Sequence, residues 1–501
     1  MIEAGLEAAV QVFHPTRLGF IMLGSCIGLA VGVLPGLGGA VGMSVVLPFV
    51  FGMDPFSGMA LLMGMVAVIH TADTFASVLL GVPGSAGSQA TIMDGYPLAR
   101  EGQAARALGA AFTSSLIGGL VGAVGLFAIV GVARPFVLSM GSPQLFMLTL
   151  LGLSMVGILS QGKILGGLVA GVIGMVVGSI GGAPAVSEYR WTFDTVYLFD
   201  GIPLPVLALG LFALPEMLDL LSSRSSIAKA GELVGSRLSG MREALSHKWL
   251  IVRSSLLGGT IGMIPGLGGP VVDWIAYGAA MQSSKDNSNF GKGDIRGVIA
   301  PESANNSKEA GALVPTLLFS VPGSSTTAIL LGGLILMGVQ AGPAMVGDDL
   351  PVLLTIVWTL AIANVVGVVL CLLFAGGISR VSTIPADKLV PFLMVLMIVA
   401  SYQSTRHWGD ILTFVGIGVA GWVMKHMSWP RAPLIIGFVL SVPAERYLHL
   451  SMSRYDNEWM TWPSVLAIGV LTLVSIGVAL YWRRREQAKQ AYAERRRGDV
   501  A

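Results

Sequence analysis

Side chains able to do chemistry are few in this sequence, and several of them stand inside apolar runs. His70 and Asp73 lie three residues apart within the apolar stretch from about Phe56 to Leu80, and Asp273 lies in another such run. Ionisable groups at membrane depth are costly to hold and generally serve a function. His70 and Asp73 fall on roughly one helix face, so they can pair. Three roles fit that pair: a proton relay, part of a substrate site, or a satisfied polar pair near the interface. Asp273 fits either a brace for the arm that follows it or a ligand for an ion. Glu302, Asn305 and Asn306 supply a carboxylate and amide carbonyls, hard oxygens suited to a small cation. The plainer reading of this stretch is the cap of a helix N-terminus, with Ser307 or Asn306 satisfying amides.

A second kind of chemistry comes from the main chain. Pro35-Gly36-Leu37-Gly38-Gly39 returns as Pro265-Gly266-Leu267-Gly268-Gly269, and Gly28 and Gly32 match Gly258 and Gly262 at the same offset of about 230 residues. Val82-Pro83-Gly84-Ser85 returns as Val321-Pro322-Gly323-Ser324, which runs on through Ser325, Thr326 and Thr327. Proline and glycine at this density stop a helix. In a bilayer such a break survives only where protein or a polar cavity covers the freed backbone groups. A broken helix turns bare N–H groups, and the positive pole of its dipole, towards an anion; its C=O end suits a sodium ion. Glycine lets a ligand approach the main chain, and a hydroxyl can donate or accept. Gly36, Gly38, Gly39, Gly84, Ser85, Ser88, Gly266, Gly268, Gly269, Gly323, Ser324, Ser325, Thr326 and Thr327 are therefore the expected contacts of a small carboxylate. The plainer reading is that these small residues only pack helices. Four breaks in repeat register favour a site. Glu302, Asn305, Asn306, His70, Asp73 and Asp273 are the candidates for ion coupling.

No arginine pair stands at mid-membrane to neutralise a di- or tricarboxylate, so a co-bound cation, sodium by expectation, would offset the charge. An enzyme using His70 with Asp73, or Glu302, as acid–base group is the competing class. It finds no Ser–His–Asp arrangement, no His-Glu-x-x-His and no cysteine nucleophile pattern. No enzyme, cofactor or resident metal is expected. His14, His247, His407, His426 and His449 are scattered at loop or span ends without ligand spacing.

The elements that position these groups are membrane helices. Of 501 residues, 54% are hydrophobic and 12% charged, against about 25% charged in a soluble domain. Apolar segments near 20 residues long recur from about Leu18 to Trp482. The 67 glycines suit closely packed helices. A net charge of +2 gives no reason to expect a nucleic-acid partner. Cys26 and Cys371 read as reduced core residues, and the N-terminus lacks the pattern of a cleaved signal. After the first broken segment, spans are expected at about 109–133, 144–161, 164–182 and 203–221. After the second they are expected at about 352–376, 389–405, 409–424, 432–443 and 463–482.

Basic residues in the loop from Ser222 to Arg253 and in the tail from Arg483 place both in the cytoplasm, with the N-terminus outside. Residues 250–283 then start and end on one side, as a hairpin that turns at Pro265. Charge bias is reversed in the first half. The expected fold is an all-α polytopic membrane protein of two inverted-topology repeats, each with a re-entrant hairpin and a broken transmembrane helix, plus an unpaired C-terminal helix. Its divisions are 1–222 for the first repeat, 223–250 for a basic cytoplasmic linker, 251–460 for the second repeat, and 461–501 for the extra helix and basic tail.

At these motifs the chain resembles the large membrane permease of the tripartite tricarboxylate transporters. Both Pro-Gly-Leu-Gly-Gly copies carry the likeness, as do Val82-Pro83-Gly84-Ser85 leading to Asp94-Gly95-Tyr96-Pro97-Leu98-Ala99-Arg100, Ala300-Pro301-Glu302-Ser303-Ala304-Asn305-Asn306, and Pro322-Gly323-Ser324-Ser325-Thr326-Thr327. The resemblance covers nearly the whole chain. It implies cation-driven uptake of carboxylates across a bacterial inner membrane, with a small four-helix membrane subunit and a periplasmic substrate-binding protein as partners, besides membrane lipid. In one stretch the chain departs from similar sequences: His70-Thr71-Ala72-Asp73 stands where an aromatic-glycine-glycine-serine pattern is usual.

Overall fold

The computed structural model describes residues 1–34, 36–85, 87–156, 163–222, 235–265, 268–381 and 386–477. Gly266 and the tail arginines Arg483, Arg484 and Arg485 lie outside the described residues, as do Arg224 and Lys229 of the basic loop. Among the described residues the chain is helical, apart from one antiparallel pair, Gly181–Gly182 with Tyr189–Arg190. Among the described residues, five helices are long and apolar enough to cross a membrane: Pro15–Gly32, Pro55–Leu80, Ala104–Leu138, Leu204–Leu221 and Leu350–Gly377. Shorter apolar helices include Ser142–Met155, Ile164–Gly178, Val390–Gln403 and Pro463–Gly477 at expected spans, and helices Trp408–His426 and Ala432–Tyr455 cover the spans expected at about 409–424 and 432–443.

Ten helices position the polar residues. In chain order they are α1 (Pro15–Gly32), α2 (Gly39–Val46), α3 (Pro55–Ala72), α4 (Gln89–Arg100), α5 (Ala104–Leu138), α6 (Lys248–Gly262), α7 (Gly269–Ser283), α8 (Arg296–Phe319), α9 (Ser325–Leu336) and α10 (Leu350–Val381). Each Pro-Gly-Leu-Gly-Gly copy breaks the chain as its composition requires. α1 stops at Gly32, and the backbone passes through left-handed Gly36 (φ 82°) before α2 opens on extended Gly38 (ψ 178°). α6 stops at Gly262 in the same way, and α7 opens on extended Gly268 (ψ −177°). The Pro-Gly-Ser breaks are alike too. α3 gives way to a short helix, Thr74–Leu80, that ends on left-handed Gly81, and α8 ends on left-handed Ser320.

Glycines set which helices touch. On α1, Gly24, Gly28 and Gly32 press on the backbone of Leu61, Met65 and Ile69 in α3, so closely that a Cβ would collide with main-chain atoms. On α6, Gly258 and Gly262 meet the backbone of Ala304 and Lys308 in α8. The long helices then cross over. α5 packs on α8 through Gly118 and Gly122, which meet Ser303 and Ser307, whereas α10 packs on α3 through Gly367 against Val68. α2 lies against α9, and α7 against α4. The window of apolar residues in Pro55–Leu80 is entirely covered by protein, so its polar members face other helices.

Cys371 is buried and free, but Cys26 is exposed. It sits on the face of α1 opposite the glycine stripe, so the expectation of two core thiols holds for one only.

Contacts divide the chain into two units, Met1–Ser139 with Ile202–Val423, and Met140–Gly201 with Met424–Ala501. All ten labelled helices belong to the first. Within the second, the helices Ile164–Gly178 and Ala432–Tyr455 pack backbone to backbone through Gly171, Gly174 and Gly437, and Arg190 bonds Glu445 at 2.6 Å.

Candidate functional site

Three of the four breaks, the first Pro-Gly-Leu-Gly-Gly and both Pro-Gly-Ser, meet a cluster of buried polar groups. Left-handed Gly36 donates its N–H to the Gly84 carbonyl at 3.2 Å, joining the first glycine motif to the first Pro-Gly-Ser. Gly84 lies so close to Asp73 that a Cβ there would stand 2.3 Å from the Asp73 carbonyl oxygen. Gly39 faces Thr326 of the second Pro-Gly-Ser, with Thr326 Oγ1 3.0 Å and His70 Nε2 3.6 Å from where its Cβ would be. Gly87 abuts the Asn305 amide. His70, Asp73, Thr326, Asn305, Gly36, Gly39 and Gly84 are thus linked through direct neighbours.

His70 is the centre of a chain of ionisable groups. Its Nδ1 is 3.9 Å from Asp73 Oδ2, and its Nε2 is 3.0 Å from Glu309 Oε1. Lys308 Nζ pairs with that same Glu309 oxygen. All four side chains are buried. Glu309 and Lys308 are not among the residues expected from sequence to form the site; α8 runs through them. The spacing from Gly84 to Gly323 also separates His70 from Glu309 and Gly81 from Ser320, and that shared offset was the signal available.

Glu302 has no free oxygen. Thr74 and Thr91 each donate to it at 2.8 Å, and Ser115 donates at 3.0 Å. Asn306 donates to Thr71 Oγ1 and to Asn364 Oδ1, both at 2.9 Å. The capping role for Glu302, Asn305 and Asn306 is ruled out, since α8 begins at Arg296 and these residues stand inside it. Asn305, by contrast, makes no side-chain hydrogen bond, and neither Asp73 oxygen does.

The hydroxyls are arranged less uniformly. Ser324 and Thr327 form a reciprocal cap on α9: Thr327 N–H donates to Ser324 Oγ at 3.2 Å, and Ser324 N–H donates to Thr327 Oγ1 at 2.9 Å. Ser88 Oγ accepts from Ser85 N–H at 3.2 Å, and Ser85 Oγ accepts from Gly87 N–H at 3.1 Å, so both shape the turn. Ser325 is half-buried beside them. Gly323 packs on Ala312, and Gly268 and Gly269 open α7. One turn into α7, Asp273 Oδ2 accepts from Ala90 N–H at 2.6 Å. It braces α7 against the start of α4. An open groove of about 380 Å3 between α5, α6 and α8, lined by residues such as Gly122, Gly259, Thr260 and Gly311, includes none of the ionisable residues above. Among the described residues no cluster of three or more His, Cys, Asp or Glu is arranged to hold a metal ion.

Comparison with known proteins gives the family. Residues 18–436 match the tripartite tricarboxylate transporter TctA family. An uncharacterized 52.8 kDa protein in the TAR-I ttuC' 3' region of Agrobacterium vitis is 28% identical over 98% of each chain. An uncharacterized protein in the TAR-II ttuC' 3' region of the same organism is 29% identical over 47% of this chain and 99% of its own length. No solved structure matches. The match spans the helices that build the polar cluster, and the family implies a transport protein rather than an enzyme, multi-pass in the inner membrane, with small membrane and periplasmic binding partners. The chain belongs to the tripartite tricarboxylate transporter TctA family, as the large membrane subunit of such a system.

Proposed function

We propose that this subunit is the permease of a binding-protein-dependent secondary transporter that imports small di- or tricarboxylates in symport with sodium. The single observation carrying this reading is the meeting of first and second breaks: Gly36 on Gly84, and Gly39 on Thr326 and His70. Main-chain poles and hydroxyls from two parts of the sequence then face one locus, the arrangement that suits a carboxylate with its co-ion. The two halves, 1–222 and 251–460, act as inverted repeats joined by a basic cytoplasmic linker, each with a re-entrant hairpin at its Pro-Gly-Leu-Gly-Gly. The C-terminus is cytoplasmic and the N-terminus periplasmic. Support for the repeat lies in matched contacts: α1 on α3 resembles α6 on α8, and α10 on α3 resembles α5 on α8.

Uptake of labelled citrate, succinate and tartrate into vesicles holding the full tripartite system, with imposed sodium or proton gradients, tests the reading. Sodium-driven accumulation of at least one carboxylate is expected. Absence of carboxylate flux under every gradient overturns the function. The 3.0 Å approach of His70 to Glu309 favours a second reading, in which the coupling ion is a proton. Flux that follows the proton gradient and ignores sodium selects it.

A further inference from the structure

We propose a specific sodium site between α3 and α8, in which the Asp73 carboxylate and the Asn305 carbonyl are the side-chain ligands, and in which Glu302 is a brace and not a ligand. This rests on the cation-coupled reading above and assigns the residues that hold its ion.

Two hydrogen bonds fix the helices at this level. Thr71 of α3 accepts from Asn306 of α8, and Thr74, just past α3, donates to Glu302. Asp73 lies between the two threonines in sequence, and Asn305 lies between Glu302 and Asn306. Both are therefore held within one helical turn of the crossing. Asp73 is 0% exposed and Asn305 is 1% exposed, yet neither Asp73 oxygen nor either polar atom of the Asn305 amide has a hydrogen-bond partner. The Asn306 Oδ1 atom is likewise unpartnered. The ion pair of Asp73 with His70 Nδ1, at 3.9 Å, is too long for a hydrogen bond, and buried carboxylates and amides are ordinarily hydrogen-bonded, so these bare oxygens leave room for a cation.

The surrounding chain favours a small hard cation over a polar ligand. Gly84 presses on Asp73 and Gly87 on Asn305, with no room for a Cβ at either place. Gly84 and Gly87 of the first Pro-Gly-Ser loop thus bring main chain against both residues. Carboxylate, amide carbonyl and loop carbonyl are all hard oxygen donors, and a single carboxylate matches one positive charge. Glu302 stands nearby, but both its oxygens already accept hydroxyl protons, Oε2 from Thr74 and Ser115 and Oε1 from Thr91, so the fold supplies its partners.

The test uses the full-length protein in lipid nanodiscs, with thermal midpoint and labelled-sodium binding measured in sodium, potassium or choline chloride at equal ionic strength. Sodium, and not potassium, is expected to raise the wild-type midpoint, because a ligand of the folded state stabilises it. Asp73→Asn should weaken sodium binding by about tenfold or more, since ligand charge sets cation affinity. Asn305→Ala should weaken it by less, Asn305→Asp should retain it, and Glu302→Gln should keep wild-type sodium affinity even with a lowered midpoint. The proposal is overturned if the wild type shows no sodium-specific shift. It is equally overturned if Asp73→Asn and Asn305→Ala both bind as the wild type does, or if Glu302→Gln alone abolishes binding. Should Asp73→Asn not fold, the Asn305 pair and the wild-type ion comparison still decide. Failure here with carboxylate flux intact removes the site only; loss of all carboxylate flux with sodium binding intact removes the transport reading and not the site.

Discussion

Asp94 and Asp73 are the same residue type, both 0% exposed, and their surroundings could hardly differ more. Asp94, in α4, accepts from the Tyr277 hydroxyl at 2.9 Å and from the N–H groups of Gly293 and Asp294 at 2.8 Å each. Gly297 leaves the space it needs, since a Cβ there would meet Asp94 Oδ2 at 2.0 Å. The Asp73 carboxylate has no hydrogen bond, and its His70 partner is 3.9 Å away. Glu302 and Asp273 repeat the contrast, one saturated by three hydroxyls and the other with Oδ1 bare. Burial alone therefore does not mark a functional acid in this protein. A carboxylate whose donors are all supplied by the fold holds helices together; one left without donors is free to take a ligand.

That contrast breaks most visibly at the saturated acids. Glu302→Ala should cost upwards of about 3 kcal/mol, because the hydroxyls of Thr74, Thr91 and Ser115 lose their acceptor at once. A thermal melt of the purified variant reads this directly, and a midpoint equal to wild type would show that Glu302 is not a brace. Asp94→Ala should cost about 3 kcal/mol by the same reasoning, freeing one hydroxyl and two amides between α4, α7 and the loop before α8. Asp73→Asn belongs at the other pole. Without sodium it should shift stability by less than about 1 kcal/mol, since the carboxylate has no hydrogen bond to lose and its ion pair with His70 is a long 3.9 Å. Marked destabilisation of that variant in potassium would place Asp73 with the structural acids.

The hydroxyls admit the same sorting. Thr327→Val should cost about 1 kcal/mol, the usual value of a helix cap, because Thr327 Oγ1 takes the Ser324 N–H. Thr326→Val leaves the cap intact and alters the neighbour of Gly39 and His70 instead. Comparing the two variants for melting midpoint and for carboxylate uptake separates capping from transport. Equal effects of both on both measurements would erase the distinction.

Local chemistry was legible in the sequence wherever a few neighbouring residues decide it. Proline and glycine at Gly36–Gly39 and Gly84 announced the breaks, and the spacing of His70 and Asp73 announced their pairing. What escaped was set by crossings between distant segments. Thr91 and Ser115 carry no mark of their attachment to Glu302, and Lys308 and Glu309 reach the His70 cluster only because α8 crosses α3 there. Ser324 and Thr327 were legible after all, since a hydroxyl residue three positions before another at a helix start is a capping pattern. The density of hydroxyls drew the reading towards a ligand instead.

The smallest effect expected lies at the rim of the saturated side. Asp294, in the loop that supplies one of Asp94's amides, is partly buried, which works against its charge. The Arg296 side chain and N–H bond it, and Arg296 and His247 add favourable charge, so the balance holds its carboxyl below the ordinary value of 3.8. A group whose value is depressed in the folded state contributes stability above the ordinary carboxylate range and loses it as pH falls through the folded value. The Arg296 side chain that pairs with it is partly exposed, so solvent screens the contribution. Asp294→Asn should therefore leave the melting midpoint near neutral pH only slightly lowered, and should make the acid limb of the midpoint–pH curve shallower below about pH 4. An acid limb identical in the two proteins would mean that the Arg296 contact is not maintained in solution. The amide that Asp294 donates to Asp94 would then need another anchor, and the rigidity assigned to the saturated acids would rest on Tyr277 and Gly293 alone.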